Sequence, residues 1–269
     1  DPDQSGVLTT KMEGVEAVSK EEIEKILKQV DKEAGARKLT GLPHWIVYVI
    51  GFSWSIFQVY TAAFGLLPAQ LQRSIHLAYA FVLTFLLFPA RAGDDDNRLR
   101  WYNWVLAVFA GYIGLYMALN YIRIMEAGGD YSRMDYIAAG CGILLTLEAA
   151  RRVVGLPIVC LATFFLLFSY FGRYFPGFMS HRGYSLERIA SHMFLTTEGI
   201  LGIPLGVAAT IIYLFILFGS IREKSGLGQL FIDISNAVAG WASGGQAKMA
   251  VVRSALEGIA TTLVETVAI

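Results

Sequence analysis

The chain has 269 residues, 55% of them hydrophobic and 16% charged, with a mean hydropathy of +0.51, which is more apolar surface than one soluble domain of this length buries. Its 22 basic and 22 acidic residues cancel, which excludes a field that would recruit nucleic acid or a strongly acidic partner and leaves a lipid bilayer as the fitting solvent. Cys141 and Cys160 each lie inside an apolar run; their placement excludes a disulfide framework or a CxxC metal site, and both are expected to pack.

Residues 1–18 are polar and without a clear period. Ser19 is followed by Glu22 at capping-box spacing, and Ile23, Ile26, Leu27 and Val30 recur on one helical face, so a short amphipathic helix is expected within a tail covering residues 1–40. This tail rests on the membrane surface or on a neighbour. The start, Asp1-Pro2-Asp3, shows no secretory signal and reads as clipped.

Crossing about 30 Å of hydrocarbon takes about 20 mostly apolar residues. The runs 44–67, 73–90, 101–122, 153–172 and 200–221 meet or approach this length. A sixth run, 135–150, is shorter and holds Glu148; Tyr136 can anchor one end at the interface. The expected fold is therefore all-α, a polytopic helical membrane protein with about six spans. Pro68 divides the first pair, and Pro89 with the Arg91–Asp96 run ends the second span.

Arg37, Lys38, Arg91, Arg98, Arg100, Arg151, Arg152, Arg222 and Lys224 fall on one side of such a topology, and Arg73, Arg123, Arg133, Arg173, Arg182 and Arg188 on the other. The bias places the N-terminal tail and the Arg91–Arg100 loop in the cytoplasm. Between spans five and six, Ser185 is placed to cap a short surface helix beginning at Leu186. After span six, Leu227, Leu230, Phe231, Ile234 and Val238 form an apolar stripe, a second amphipathic helix that Gly240 and Gly244-Gly245 end. Residues 246–269 are semi-apolar but carry Lys248, Arg253, Glu257 and Glu265, a pattern suited to a partial re-entrant hairpin buried in protein.

Signatures of soluble chemistry are missing: the chain has no HExxH, GxSxG, GxxxxGK[ST] or GxGxxG, which argues against an enzyme and an ATP-driven pump. His44, His76, His181 and His192 lack metal-ligand spacing and are read as interfacial or loop residues, so no metal and no cofactor is expected. Glu148 is the intramembrane charge whose role is open. It is either an ion or proton site, or a salt-bridged carboxylate, since Arg151 and Arg152 lie within one helical turn of it.

Several stretches go further. His181-Arg182-Gly183-Tyr184-Ser185-Leu186-Glu187-Arg188 and Thr196-Thr197-Glu198-Gly199-Ile200-Leu201-Gly202-Ile203-Pro204-Leu205-Gly206-Val207 closely resemble the fused permease subunits of tripartite ATP-independent periplasmic (TRAP) transporters, TAXI type. So do Phe218-Gly219, Lys224-Ser225-Gly226, Phe231-Ile232-Asp233 and Gly244-Gly245-Gln246-Ala247-Lys248. Upstream, Leu71-Gln72-Arg73-Ser74-Ile75-His76-Leu77 and Glu148-Ala149-Ala150-Arg151-Arg152 look like the small four-span portion of that fusion. The resemblance covers roughly residues 68–258.

It implies a four-helix scaffold domain over 41–152 and the beginning of a transport domain over 153–269. The implied function is a multi-pass permease of the bacterial inner membrane, a symporter taking up organic anions (carboxylates) handed over by a periplasmic solute-binding protein. Na+ or H+ would be the coupling cation, and the remainder of the large permease domain a partner. Arg182 and Arg188 are then candidates for docking the binding protein. Gly258, Thr261 and Thr262 are candidates for holding the cation, although this stretch, Ile259-Ala260-Thr261-Thr262, lacks the Ser/Gly-rich turn usual in the family. The alternative reading is a non-transporting membrane scaffold or truncated gene product. With only one half of a paired site in 246–269, the chain alone is not expected to transport.

Overall fold

The computed structural model describes residues 36–37, 39–90 and 99–239, with positions 250, 251, 254, 255 and 258. The regular elements among these residues are all helical. Helix α1, Leu42–Phe64, has a proline in its first turn, where the missing N–H goes unneeded, and stops at Gly65. A four-residue turn, Gly65 to Pro68, leads directly into α2, Ala69–Leu87. Then come α3, Trp101–Leu119, the short α4, Tyr121–Glu126, and α5, Arg133–Val153.

Helix α5 is longer than the apolar run 135–150 suggests because its start is made by polar groups. Ser132 Oγ accepts from the Asp135 amide at 3.4 Å, and Asp135 Oδ2 accepts from the Ser132 amide at 2.8 Å, a reciprocal cap. Gly155 breaks the chain before α6, Leu156–Phe171. Two tight 3-10 turns, Gly172–Tyr174 and Gly177–Met179, precede α7, Leu186–Ala190, which Ser185 caps as its sequence requires. A π-helical turn, Ser191–Leu195, continues it.

The last long helix is composite: α8, Ile203–Val207, a π turn over Ala208–Ile212, and α9, Tyr213–Ser225. Gly226, left-handed at φ 74°, turns the chain into α10, Leu227–Ala239, the amphipathic helix expected there. The predicted tail helix from Ser19, the Arg91–Asp96 run, Gly240 and Gly244-Gly245, and most of the 246–269 hairpin lie outside the described residues.

All six expected spans are helices. Leu42–Phe64, Trp101–Leu119, Leu156–Tyr174 and Ile203–Arg222 are long and apolar enough to cross a bilayer on their own composition. Helices α2 and α5 are long enough, at 19 and 21 residues, but carry more polar side chains. The reason is their position. Helix α2 runs through the centre, packed on α1, α3, α5 and the composite helix, and its Gln72, Ser74 and His76 are buried in protein rather than in lipid.

The core is built from Leu77, Phe81 and Phe85 of α2, Ala110 and Met117 of α3, and Ala139 of α5, with Phe194 and Leu195 inserted from the π turn. Small residues set the spacing: a side chain at Gly114 would reach within 2.6 Å of the Ala78 Cα, and Ser74 Oγ donates to the Gly114 carbonyl at 2.6 Å. Small residues let helices approach closely where lipid supplies no hydrophobic drive between them. Cys141 packs against this core, whereas Cys160 is exposed on α6 instead of packed.

Candidate functional site

Of the 23 residues of α1, the two buried ones are polar, Gln58 and Thr61. Three residues apart, they share one face of the helix and meet the first turns of α2. Gln72 Nε2 donates to Gln58 Oε1 at 3.0 Å and to Thr61 Oγ1 at 3.1 Å. With its oxygen so engaged, Gln58 turns its amide nitrogen to His76 Nδ1 at 2.8 Å, which places the ring proton on Nε2. His76 is therefore not the interfacial or loop residue expected from sequence. It is 6% exposed, inside the bundle, with Trp54 against its ring at 4.8 Å.

This cluster reaches across to the composite helix. Gln72 Nε2 lies 3.4 Å from the Ala209 carbonyl, in the π turn, where the helix's own hydrogen bonding is irregular. Tyr213 packs on Trp54 at 4.6 Å and its hydroxyl lies 3.0 Å from Ser55 Oγ. Arg73 donates to the Leu201 carbonyl at 2.7 Å, and its guanidinium fills the place a side chain at Gly206 would need, 2.7 Å from where a Cβ would stand. Gln70 reaches the Leu195 carbonyl at 3.4 Å. Residues 70–76 and 195–213, far apart in sequence, thus form one continuous polar junction.

A second cluster lies at the other ends of α2, α3 and α5. Glu148 accepts from Arg151 Nε at 2.7 Å and from Arg152 Nε at 2.8 Å, one on each oxygen. Arg152, 2% exposed at its side chain, also donates to Asn103 Oδ1 at 3.0 Å and the Phe88 carbonyl at 3.2 Å, and sits over the Phe85 ring at 4.8 Å. Both oxygens of the Glu148 carboxylate are held by guanidiniums of its own helix, and Arg152 makes the tie to the end of α2 and to α3.

Arg182 and Arg188 are both exposed but open into different cavities. Arg182 lines one of about 380 Å³ with Arg173 and Tyr174, while Arg188 lines another of about 290 Å³ with His192 and covers the Tyr184 ring at 5.8 Å. The 172–184 loop is pinned by His181, whose Nδ1 accepts from the Gly183 amide and whose Nε2 meets the Phe168 carbonyl, both at 3.1 Å. Of the candidate cation ligands, Gly258 is helical and exposed; Thr261 and Thr262 lie outside the described residues. Among the described residues, no group of three or more His, Cys, Asp or Glu side chains is placed to hold a metal ion.

Sequence reasoning missed the junction. Its signal was present, since Gln58 and Thr61 share a face of α1 and Gln72 and His76 share a face of α2, but only tertiary packing brings the two faces together. A larger cavity, about 1030 Å³, opens beside α4 and is walled by Arg123, Tyr131 and Ser132; Arg123 there is held by Asp135 at 2.6 Å.

Comparison with curated proteins and with solved structures gives no match. Residues 141–261, a little under half of the chain, match the family described as tripartite ATP-independent periplasmic transporter, DctM component. The matched segment starts midway along α5 and takes in α6, the capped 185–195 segment and the composite helix; this part of an all-helical, multi-pass membrane chain is similar to the membrane permease of a TRAP transporter.

Proposed function

We propose that the chain is the permease component of a TAXI-type TRAP transporter, a secondary transporter of the bacterial inner membrane. It takes up an organic carboxylate delivered by a periplasmic solute-binding protein, and a Na+ or H+ gradient drives the movement. The observation that carries this reading is the match of residues 141–261 to the DctM component. In this reading residues 41–152 are the scaffold, and the polar junction of Gln58, Gln72, Arg73 and His76 with residues 195–213 fastens it to the transport domain. Arg182 and Arg188 receive the binding protein, and oxygens at Gly258, Thr261 and Thr262 hold the coupling cation.

The test is uptake of a labelled carboxylate into proteoliposomes holding the natural full-length product of this gene, with its binding protein supplied outside. Uptake that needs both the binding protein and an imposed Na+ or proton gradient is the expected result. Uptake indifferent to both would overturn the proposal, and the two gradients imposed separately identify the ion.

A further inference from the structure

An apolar groove of about 580 Å³ runs between α5, α6 and α7, floored by Gly140 and walled by Leu144, Leu167, Phe171, Leu186 and Ile189. Its walls are open to the outside: Leu144 is 67% exposed, Leu167 52% and Leu186 67%. Both spans, α5 and α6, run at the level of the hydrocarbon, where a wall this exposed can take an acyl chain. From Tyr136 to Leu144 the groove follows α5 for about 12 Å at 1.5 Å per residue, close to the depth of one leaflet of a hydrocarbon core of about 30 Å.

The groove borders a second cavity. Tyr170 and Phe171 line both it and the cavity of about 380 Å³ where Arg173 and Arg182 meet Tyr174, Tyr184 and Ser185. This end carries the tyrosines expected at a membrane–water boundary. Neither Arg173 nor Arg182 has an ion-pair partner among the described residues. The carboxylate on the groove wall is that of Glu187. Two guanidiniums and one carboxylate leave a single positive charge, which one phosphodiester neutralises.

We propose that the groove and the cavity together form a binding site for one anionic glycerophospholipid of the leaflet on the side of the 172–202 segment. An acyl chain lies along Gly140, Leu144 and Leu167, and the phosphate meets Arg173 and Arg182. The juxtaposition carries the proposal: an apolar slot of about one-leaflet depth adjoins, across Tyr170 and Phe171, a two-arginine cavity on the loop that follows α6. Basic pockets between spans recognise lipid phosphates in this way. The site uses only the spans and the loop that joins them, so it does not need the chain to transport, but it reassigns Arg182 from docking the binding protein to holding a phosphate.

The test uses the purified chain in nanodiscs with phosphatidylglycerol or phosphatidylcholine bearing a photoreactive diazirine on one acyl chain, and maps the labelled peptides. The exposed face of α1 serves as the reference for bulk lipid. Phosphatidylglycerol should label 136–144 and 166–171 about fivefold more than phosphatidylcholine does, relative to α1. The double substitution R173A/R182A should lower that labelling about fivefold, to the phosphatidylcholine level, R173K/R182K should restore most of it, and Gly140→Phe should block it by filling the floor. Circular dichroism and gel filtration confirm that each variant is folded. Labelling of the groove no greater than that of α1, or unchanged in both R173A/R182A and Gly140→Phe, would overturn the proposal. So would loss of binding-protein capture in R173A/R182A while groove labelling persists, which would assign the arginines to a protein partner.

Discussion

Helices α2 and α6 are similar in length and opposite in every other respect. Helix α2 buries eight side chains, among them Gln72, Ser74 and His76, and touches most of the bundle. Helix α6, built almost wholly of apolar and aromatic residues, buries none. In water the more apolar helix would be the buried one. In a bilayer the relation turns over, because lipid tails satisfy an apolar face completely and only protein can satisfy a polar one. A buried polar side chain in these spans therefore marks protein contact, whereas an apolar one is at home against lipid, as on α6, or in the core, as Phe81 and Phe85 are.

The sharpest way to break this contrast is at the closest approach of α2. Gly114→Val pushes a branched side chain onto the Ala78 backbone and should cost about 3 kcal/mol, read as a large fall in the thermal unfolding midpoint in detergent. A midpoint within a degree of wild type would show that α2 and α3 are not packed as described. Next comes Glu148→Ala, which removes the carboxylate from Arg151 and the buried Arg152. Because Glu148 is 30% exposed at its side chain, a loss of about 1–2 kcal/mol is expected rather than the full cost of a buried pair. Glu148→Gln, tested in the same uptake assay, separates the roles: altered ion dependence with unchanged stability would make the carboxylate an ion site.

Smaller again is Gln72→Leu, which fits the space but strips Gln58 and Thr61 of their donor. It should cost about 1 kcal/mol and loosen α1 from the bundle, measurable as slower disulfide cross-linking between cysteines introduced at facing positions of α1 and α2. Faster or unchanged cross-linking would deny the junction its clamping role. At the bottom of the scale, Leu161→Ala on α6, where Leu161 is 54% exposed, should change stability by about 0.5 kcal/mol or less. A larger loss would mean that α6 is covered by protein.

Spans, the Ser185 cap and the pairing of Glu148 with Arg151 and Arg152 were legible in the sequence, because length, period and i to i+3 or i+4 spacing are local properties of one helix. What could not be read is what two helices make together. Gln58 and Gln72 look like isolated interruptions of apolar runs until the hairpin closes and they become partners. The π turn at Ala208–Ile212 carries no local signature, yet it supplies the carbonyl that Gln72 reaches. Arg182 was singled out with Arg188 from the resemblance; the structure sets Arg182 beside Arg173 in one cavity and Arg188 beside His192 in another.

The four-residue turn between α1 and α2 has a consequence for how the protein is made. As α1 leaves the translocon it carries Gln58 and Thr61 on an otherwise lipid-compatible surface, and in hydrocarbon each unmet polar group is costly. The group that relieves both, the Gln72 amide, follows only 14 residues behind Gln58, so it is available as soon as the ribosome has added one more helix. Insertion of α1 and α2 as a preformed hairpin, rather than as two successive single helices, is the route that never leaves these amides bare, and a chain stalled between Gly65 and Pro68 should integrate less efficiently than one extended through His76.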